Sequence, residues 1–226
     1  LLSICIPTYN RETYLRTCLE SIVHQKWFDR NTIEICITDN ASTDGTESMI
    51  AEYQEKYWNF SYYKNPANLW MTANLLKAME NGSWEYIWLF WSDDMMTEIA
   101  LESTLEIIRK EKPSLILSDR HVFSDETLDA NPTLITWKTD LIFWEPEDFI
   151  KHLGDDNKEN GRMNGNFFTF ISIVCVKKDL YTKNKIEFLE KYWKKYTRLN
   201  QNYFNYIMIP MFNLHHEKIV IIKSKI

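Results

Sequence analysis

The chain has 226 residues, 45% of them hydrophobic and 26% charged, with a formal net charge of −6. That length is enough to bury a core in one large α/β domain, and the acidic balance argues against a nucleic-acid partner, whose phosphates are held mainly by Lys and Arg. No apolar run approaches the roughly 20 residues that span a bilayer. Neither an initiating methionine nor a signal-peptide pattern stands at its start, so the sequence reads as part of something longer. Cys5, Cys18, Cys36 and Cys175 lie in apolar segments without C-x-x-C spacing. They predict reduced core thiols of a cytosolic protein, with neither a zinc site nor a disulfide frame.

Taken in order, Leu1 to Pro7 is a short apolar strand closed by the turn-like Pro7-Thr8-Tyr9-Asn10-Arg11. Tyr14, Leu15, Cys18, Leu19, Ile22 and Val23 then recur at the spacing of one buried helix face. Ile33, Ile35 and Ile37 alternate with Glu34 and Cys36 in a second strand. Thr38 to Thr46 follows as a loop dense in cap and turn residues. Another helix carries Met49, Ile50 and Tyr53, Phe60 to Tyr63 makes a third strand, and Met71, Leu75, Leu76 and Met79 line a third helix.

The run Tyr86-Ile-Trp-Leu-Phe90 is short, aromatic and aliphatic, and reads as a strand buried on both faces. It ends abruptly at Ser92-Asp93-Asp94. Three strand-helix units in a row predict parallel strands joined by right-handed crossovers. Beyond them come a helix with Ile99, Leu105 and Ile108 and a strand at Leu115 to Leu117. Two polar loops (125–139 and 154–165) flank a short helix opened by Pro146. The remaining expectations are a strand over Asn166 to Val176, helices over Ile186 to Tyr196 and Asn202 to Phe212, and a last strand over Lys218 to Lys223. The rhythm weakens after Arg120, so the chain is expected to be one domain, 1–226, with a regular first half, 1–119, and an irregular second half, 120–226.

Three loops, Thr8 to Arg11, Thr38 to Thr46 and Ser92 to Asp94, fall at strand carboxyl ends, the edge where open α/β sheets bind ligands. Asp39 offers a carboxylate to a base N–H or a ribose hydroxyl, and helix N-termini offer donors to phosphate. Two adjacent carboxylates, Asp93 and Asp94, are costly unless compensated, either by a hard cation such as Mg²⁺ or Mn²⁺ or by capping the next helix. No G-x-G-x-x-G and no G-x-x-x-x-G-K-[ST] occurs, so neither a dinucleotide fold nor a P-loop is supported. Lys177, Lys178 and the basic, aromatic stretch from Lys183 to Arg198 read as a solvated helix face or as a surface for anionic lipid.

Ser3-Ile-Cys-Ile-Pro-Thr-Tyr-Asn-Arg11 with Cys18-Leu-Glu-Ser-Ile22 resembles the opening motif of family 2 glycosyltransferases. Ile35 to Thr46 is similar to their second motif, Asn65-Pro-Ala-Asn-Leu69 to their third, and Tyr86 to Asp94 to their metal-binding strand end. The resemblance implies the GT-A fold: a mostly parallel central sheet with helices on both faces, a nucleotide-sugar-binding first half and an acceptor-side second half. It also implies transfer of a sugar from a nucleotide-diphosphate donor, UDP-sugar first among them, to the hydroxyl of a glycan or lipid-linked acceptor. That transfer would be inverting and metal-dependent, carried out in the cytoplasm or at the inner face of a bacterial membrane during surface-glycan synthesis. Carried over by position, Pro7, Thr8, Tyr9 and Arg11 would wall the nucleobase pocket and Asp39 would bind the base. Asn68 would lie near the donor, and Asp93, with Ser92 and Asp94 beside it, would hold the metal on the diphosphate.

The carboxylates available as general base are Asp155, Asp156, Glu187 and Glu190, each of which reads first as a solvated surface charge. His215 and His216 are candidates for a late metal ligand. The chain also departs from the family pattern. Ser92 stands at the first acidic position of the strand-end motif, and Trp70, Trp84 and Trp91 stand at glycine-like positions. The same residues therefore leave open a fold-retaining, catalytically impaired binding or scaffold domain. A nucleotidyltransferase would share the layout, but Thr8-Tyr9-Asn10 stands where its Gly-rich loop would be.

Overall fold

The computed structural model describes residues 1–119, 141–143, 174–185 and 217–225. In chain order the elements are β1 (Leu2–Thr8), α1 (Glu12–Val23), β2 (Ile33–Asp39), α2 (Thr46–Lys56), β3 (Phe60–Lys64) and α3 (Trp70–Asn81). Then follow β4 (Tyr86–Leu89), α4 (Ala100–Glu111), β5 (Leu115–Asp119), β6 (Leu141–Phe143), β7 (Val174–Lys177) and β8 (Ile219–Lys225). Residues 178–185 are also helical.

The eight strands form one sheet in the order β3-β2-β1-β4-β7-β5-β8-β6. As the alternation of strand and helix predicts, β3, β2, β1 and β4 are mutually parallel. Every residue of β1 and β4 is buried, and β4 is continuously apolar or aromatic while β1 is so except at Ser3 and Thr8. Each helix contributes one stripe: Leu15, Cys18, Leu19 and Ile22 from α1, and Thr46, Met49, Ile50 and Tyr53 from α2. Tyr14, expected on the α1 stripe, is instead exposed; it lies one position outside the arc that faces the core.

On the other face α3 crosses β2, β1 and β4 and ends at Gly82, where an added Cβ would stand 2.9 Å from Cys5 Sγ and from Ser3 Cβ. Only glycine permits that close approach of chain to sheet. Tyr86, Trp88 and Phe90 are among the large side chains buried completely or nearly so, with Trp88 and Phe90 meeting edge to face at 5.9 Å. The four cysteines are free and buried, as expected.

The second half departs from simple parallel order. The strand expected over 166–176 appears as Val174–Lys177 and runs antiparallel, inserted between β4 and β5. Its apolar run carries no information about direction. The short β6, which pairs antiparallel with β8, has no counterpart among the expected elements. The loops 125–139 and 154–165, the helix opened by Pro146 and those over 186–196 and 202–212 lie outside the described residues.

Two local features generate measurable consequences. The residues at the N-cap positions of α1 and α2, Arg11 and Gly45, make no side-chain cap bonds. Asp44 serves both helices: Oδ2 accepts from Glu12 N–H at 3.1 Å, and Oδ1 accepts from Thr46 N–H at 3.1 Å and from its hydroxyl at 2.6 Å. Burial pushes the Asp44 carboxyl up, but the bonds from Thr46 and Glu12 outweigh it and hold the group below the usual carboxylate range. Asp44→Ala is expected to cost about 2 kcal/mol in urea unfolding, roughly 1 per helix start. In the parent chain this contribution is complete above the pKa of the unfolded carboxyl and is lost as pH falls through the lower folded value. An alanine variant as stable as the parent at neutral pH would refute the double cap.

Trp70 has φ +66° and is 81% exposed. A left-handed conformation costs a residue with a Cβ about 1–2 kcal/mol, while glycine there gives back about 0.5–1 through unfolded-chain entropy. Trp70→Gly is therefore expected to raise stability by about 0.5–1 kcal/mol, read as a higher urea midpoint with the same slope. A lower midpoint would show that the indole makes a contact worth more than the strain.

Candidate functional site

Because β1 and β2 pair in register from Leu2↔Ile33 to Thr8↔Asp39, their carboxyl ends stop at the same level. The loops that follow have to share one edge, and they are bonded to each other. Asn10 N–H donates to Ser42 Oγ at 2.9 Å, Thr43 N–H donates to Asn10 Oδ1 at 2.8 Å, and Asn40 N–H donates to Thr8 O at 2.9 Å. Of the four non-glycine residues with positive φ among the described residues, Asn10, Ala41 and Trp70 lie in or at the end of the loops after β1, β2 and β3. Backbone held in such sparsely populated regions collects at ligand sites.

Asp39, expected to meet a base, is completely buried. Its Oδ1 accepts from Ser42 N–H at 2.9 Å and Ser42 Oγ at 2.5 Å, and its Oδ2 accepts from Tyr62 Oη at 2.6 Å. Burial pushes the Tyr62 phenol well up, and the bond to Asp39 pushes it further, so Tyr62 stays a donor. Carboxylate oxygens carry about four lone-pair sites, so Asp39 retains capacity for one more donor. Its neighbour Thr8 is buried, and its Oγ1 has no partner among the described residues. An unsatisfied buried hydroxyl beside a buried carboxylate is an unmet demand for a polar ligand.

Pro7 is buried and Tyr9 stands exposed above it. Beyond Asp39, four asparagines, Asn40, Asn65, Asn68 and Asn74, bond through their side-chain amides and tie the β2 end to the start of α3. Asn68 is the exposed member.

Across the edge, Asp93 pairs with the guanidinium of Arg11, 82 residues away, and both side chains remain over one third exposed. Sequence placed both residues at the edge but gave no sign that they meet. Ser92 is buried, and Asp94 N–H closes a turn to Trp91 O at 3.2 Å. α4 starts at Ala100, and Ile99 at its N-cap position makes no side-chain cap bond. The segment after β4 is pinned to α1 instead: Gln25 Nε2 donates to Thr97 O at 2.9 Å, and Met96 N–H donates to Ser21 Oγ at 2.9 Å. Cys18 Sγ donates to Trp91 O, and burial, with Asp94 and Asp93 nearby, pushes its thiol pKa well up, so it is a packing residue and not a nucleophile.

Of the three tryptophans at glycine-like positions, Trp70 occupies a backbone conformation that glycine favours. Trp84 and Trp91 are half-buried, the latter packed against the core. Asp155, Asp156, Glu187, Glu190, His215 and His216 lie outside the described residues. Among the described residues, no three or more His, Cys, Asp or Glu side chains cluster as a metal site. The adjacent carboxylates Asp93 and Asp94 nonetheless fit a Mg²⁺-type ion, which takes one or two carboxylates and fills its remaining positions with water and phosphate oxygens. No helix among the described residues is long and apolar enough to cross a membrane.

Comparison with known proteins agrees with this edge. The model of glycosyl transferase family 2 matches residues 3–206. Abequosyltransferase RfbV of Salmonella typhimurium is 43% identical over 122 residues, which are 53% of this chain and 36% of that protein. Glycosyltransferase GlyG of Streptococcus pneumoniae serotype 4 is 23% identical over 190 residues, 83% of this chain and 60% of that one. Among solved structures, TarS of S. aureus in complex with UDP matches with TM-score 0.70 and 17% identity, covering 100% of this chain and 60% of that chain. The mannosyltransferase PcManGT from Pyrobaculum calidifontis, in complex with GDP-Man and Mn²⁺, matches with TM-score 0.52 and 16% identity over 80% of this chain and 46% of that chain.

The chain thus spans between about a third and three fifths of the length of these relatives, and the structural likeness establishes the GT-A fold. With its family match running through every loop of the edge just described, the chain belongs to glycosyl transferase family 2.

Proposed function

We propose that this chain carries the donor site of a glycosyltransferase that moves a sugar from a nucleoside-diphosphate sugar, UDP-sugar first among the candidates, to an acceptor hydroxyl. The observation that carries the reading is the pairing of an unsatisfied hydroxyl, Thr8 Oγ1, with the buried Asp39 on the same edge as the exposed carboxylate of Asp93. The first two suit the polar edge of a base, and the third suits a divalent cation that would offset the charge of a diphosphate. UDP and UDP-GlcNAc complexes of TarS and the abequosyltransferase relative support the same substrate class.

On this reading Thr8 and Asp39 bind and orient the base, with Pro7 and Tyr9 as walls. Asp93 and Asp94 would hold a Mg²⁺ or Mn²⁺ ion, whose chemistry when bound is to offset the negative charge that builds on the departing diphosphate. Arg11 would then be free of Asp93 and available to phosphate oxygens. Inversion, which requires a base on the opposite face of the sugar, falls to a carboxylate of the second half, with Asp155, Asp156, Glu187 and Glu190 as candidates. His215 or His216 would complete the cation's ligands. A role in bacterial surface or lipid-linked glycan assembly, at the inner face of a membrane, extends the same proposal. The reading of a binding or scaffold domain without turnover draws on one observation, the occupation of Asp93 by Arg11.

Calorimetric titration with UDP is expected to give binding that strengthens with Mn²⁺ and weakens about tenfold or more in Asp93→Ala, near 1.4 kcal/mol. Equal affinity in parent and variant would remove Asp93 from the site, and failure of UDP, GDP and dTDP alike would remove the donor-site reading. Since exposed ion pairs are worth about 0–1 kcal/mol, Arg11→Gln is expected to bind Mn²⁺ alone up to about fivefold more tightly than the parent. Weaker Mn²⁺ binding in that variant would contradict competition between guanidinium and cation.

A further inference from the structure

The four asparagines at the crevice edge form a chain whose direction is fixed from both ends. Backbone carbonyls can only accept and backbone N–H groups can only donate, so an amide bonded to either has its orientation set. At the buried end, Asn74 Nδ2 donates to Thr38 O at 3.1 Å and Thr8 O at 3.4 Å, which leaves its Oδ1 to accept from Asn65 Nδ2 at 2.7 Å. Asn65 Nδ2 also donates to Asn40 Oδ1 at 3.3 Å. At the outer end, Leu69 N–H donates to Asn40 Oδ1 at 2.8 Å, so Asn40 must present Nδ2 to Asn68 Oδ1, which it does at 2.8 Å. Trp70 N–H donates to the same Asn68 Oδ1 at 2.9 Å.

Asn40, Asn65 and Asn74 are buried, and flipping any one of them would set like against like along the chain. The orientation of Asn68 is imposed from two sides, by Asn40 Nδ2 and by Trp70 N–H. Its oxygen is used twice, and its Nδ2, exposed at the crevice edge, has no partner among the described residues.

We propose that Asn40 is a positioning residue. Backed by Asn65 and Asn74, it holds Asn68 with the amide N–H₂ outward, so that this point of the crevice only donates hydrogen bonds and selects the phosphate oxygens of a nucleoside diphosphate. This rests on the reading of the crevice as a nucleoside-diphosphate site. Apolar ligand groups do not distinguish the two ends of an amide, whereas an anion, which only accepts, does. A carbonyl turned outward would repel phosphate where the amine attracts it. Reversing one buried amide should therefore change ligand preference at an exposed residue it does not itself expose.

The test is a double-mutant cycle on the full chain, with UDP and with uridine, in the presence of Mn²⁺. Asn40→Asp keeps shape but replaces the donor facing Asn68 by a charged acceptor, whose stronger bond to the Asn68 N–H₂ outweighs the neutral bond from Trp70 N–H and turns the Asn68 carbonyl outward. It is expected to weaken UDP about tenfold and leave uridine within about twofold. Introduced on top of Asn68→Ala, it should add nothing. An equal loss in the Asn68→Ala background would mean that Asn40 acts through charge or general folding, and would overturn the proposal.

Should Asn40→Asp fail to fold, Asn68→Asp at the exposed position makes the same reversal, and a loss shared equally by uridine and UDP would overturn the proposal. The relay is also readable without any ligand. Side-chain amide exchange measured by NMR should show Asn68 N–H₂ exchanging fast with water while those of Asn40, Asn65 and Asn74 are protected. A protected Asn68 amide would sink the relay. A parent chain that binds no nucleotide but shows this exchange pattern would sink only the diphosphate as its target.

Discussion

A carboxylate with no access to water lies at the end of β2, and the loops around the crevice are arranged to satisfy it. Leaving a buried polar group without partners costs about 2–7 kcal/mol, so Asp39 requires donors from its surroundings. Ser42 comes from its own loop and Tyr62 from the neighbouring strand. Recruiting Ser42 bends the chain through Ala41 at φ +66°. That bend in turn carries Ser42 and Thr43 to Asn10 and so fixes the loop after β1. The shape of the edge thus follows from one buried charge-bearing side chain placed where two parallel strands end level.

The core supports this by symmetry of burial rather than by any single contact. β1 is covered on both faces, by α1 and α2 on one and α3 on the other, so neither of its ends can shift without disturbing both layers. Glu34, half-buried at the far end of the sheet, ties Ser3 to Ser83 through its carboxylate. Burial alone would raise its pKa, yet the bonds from Ser3 and Ser83 hold it below the usual range. The two ends of the parallel block are therefore each closed by a carboxylate accepting from serines, one at each extreme of the strands. Between them lies apolar packing with Cys5 and Cys36 as small hydrophobes.

The first half of this architecture was legible because its signals are local. The Ile33-x-Ile35-x-Ile37 alternation, the α1 stripe and the abrupt end of the Tyr86 run each follow from a few neighbouring residues. Trp70 was noticed through resemblance, and its positive φ gives that suspicion a physical content. What sequence could not show are contacts between residues far apart: Tyr62 on Asp39, Arg11 on Asp93, and Asn74 reaching back to Thr8 and Thr38. Polar side chains of these types are common on any surface, and nothing in their spacing marks them as partners. The direction of β7 was illegible for a different reason, since a short apolar run pairs equally well either way.

The antiparallel insertion of β7 has a consequence for how the chain is made. β1 to β4 pair within the first 89 residues, the most distant pairing being that of β1 with β4, where Leu2 stands opposite Tyr86. The strand that completes the free side of β4, however, is Val174–Lys177, separated from it by more than 80 residues. During synthesis at about 5–20 residues per second, the nascent sheet therefore presents Tyr86 to Leu89 as an open, apolar border for several seconds. A border of that kind invites pairing with other chains. The order of strands in this sheet thus gives the growing polypeptide an interval in which that border has no later strand of its own chain to pair with.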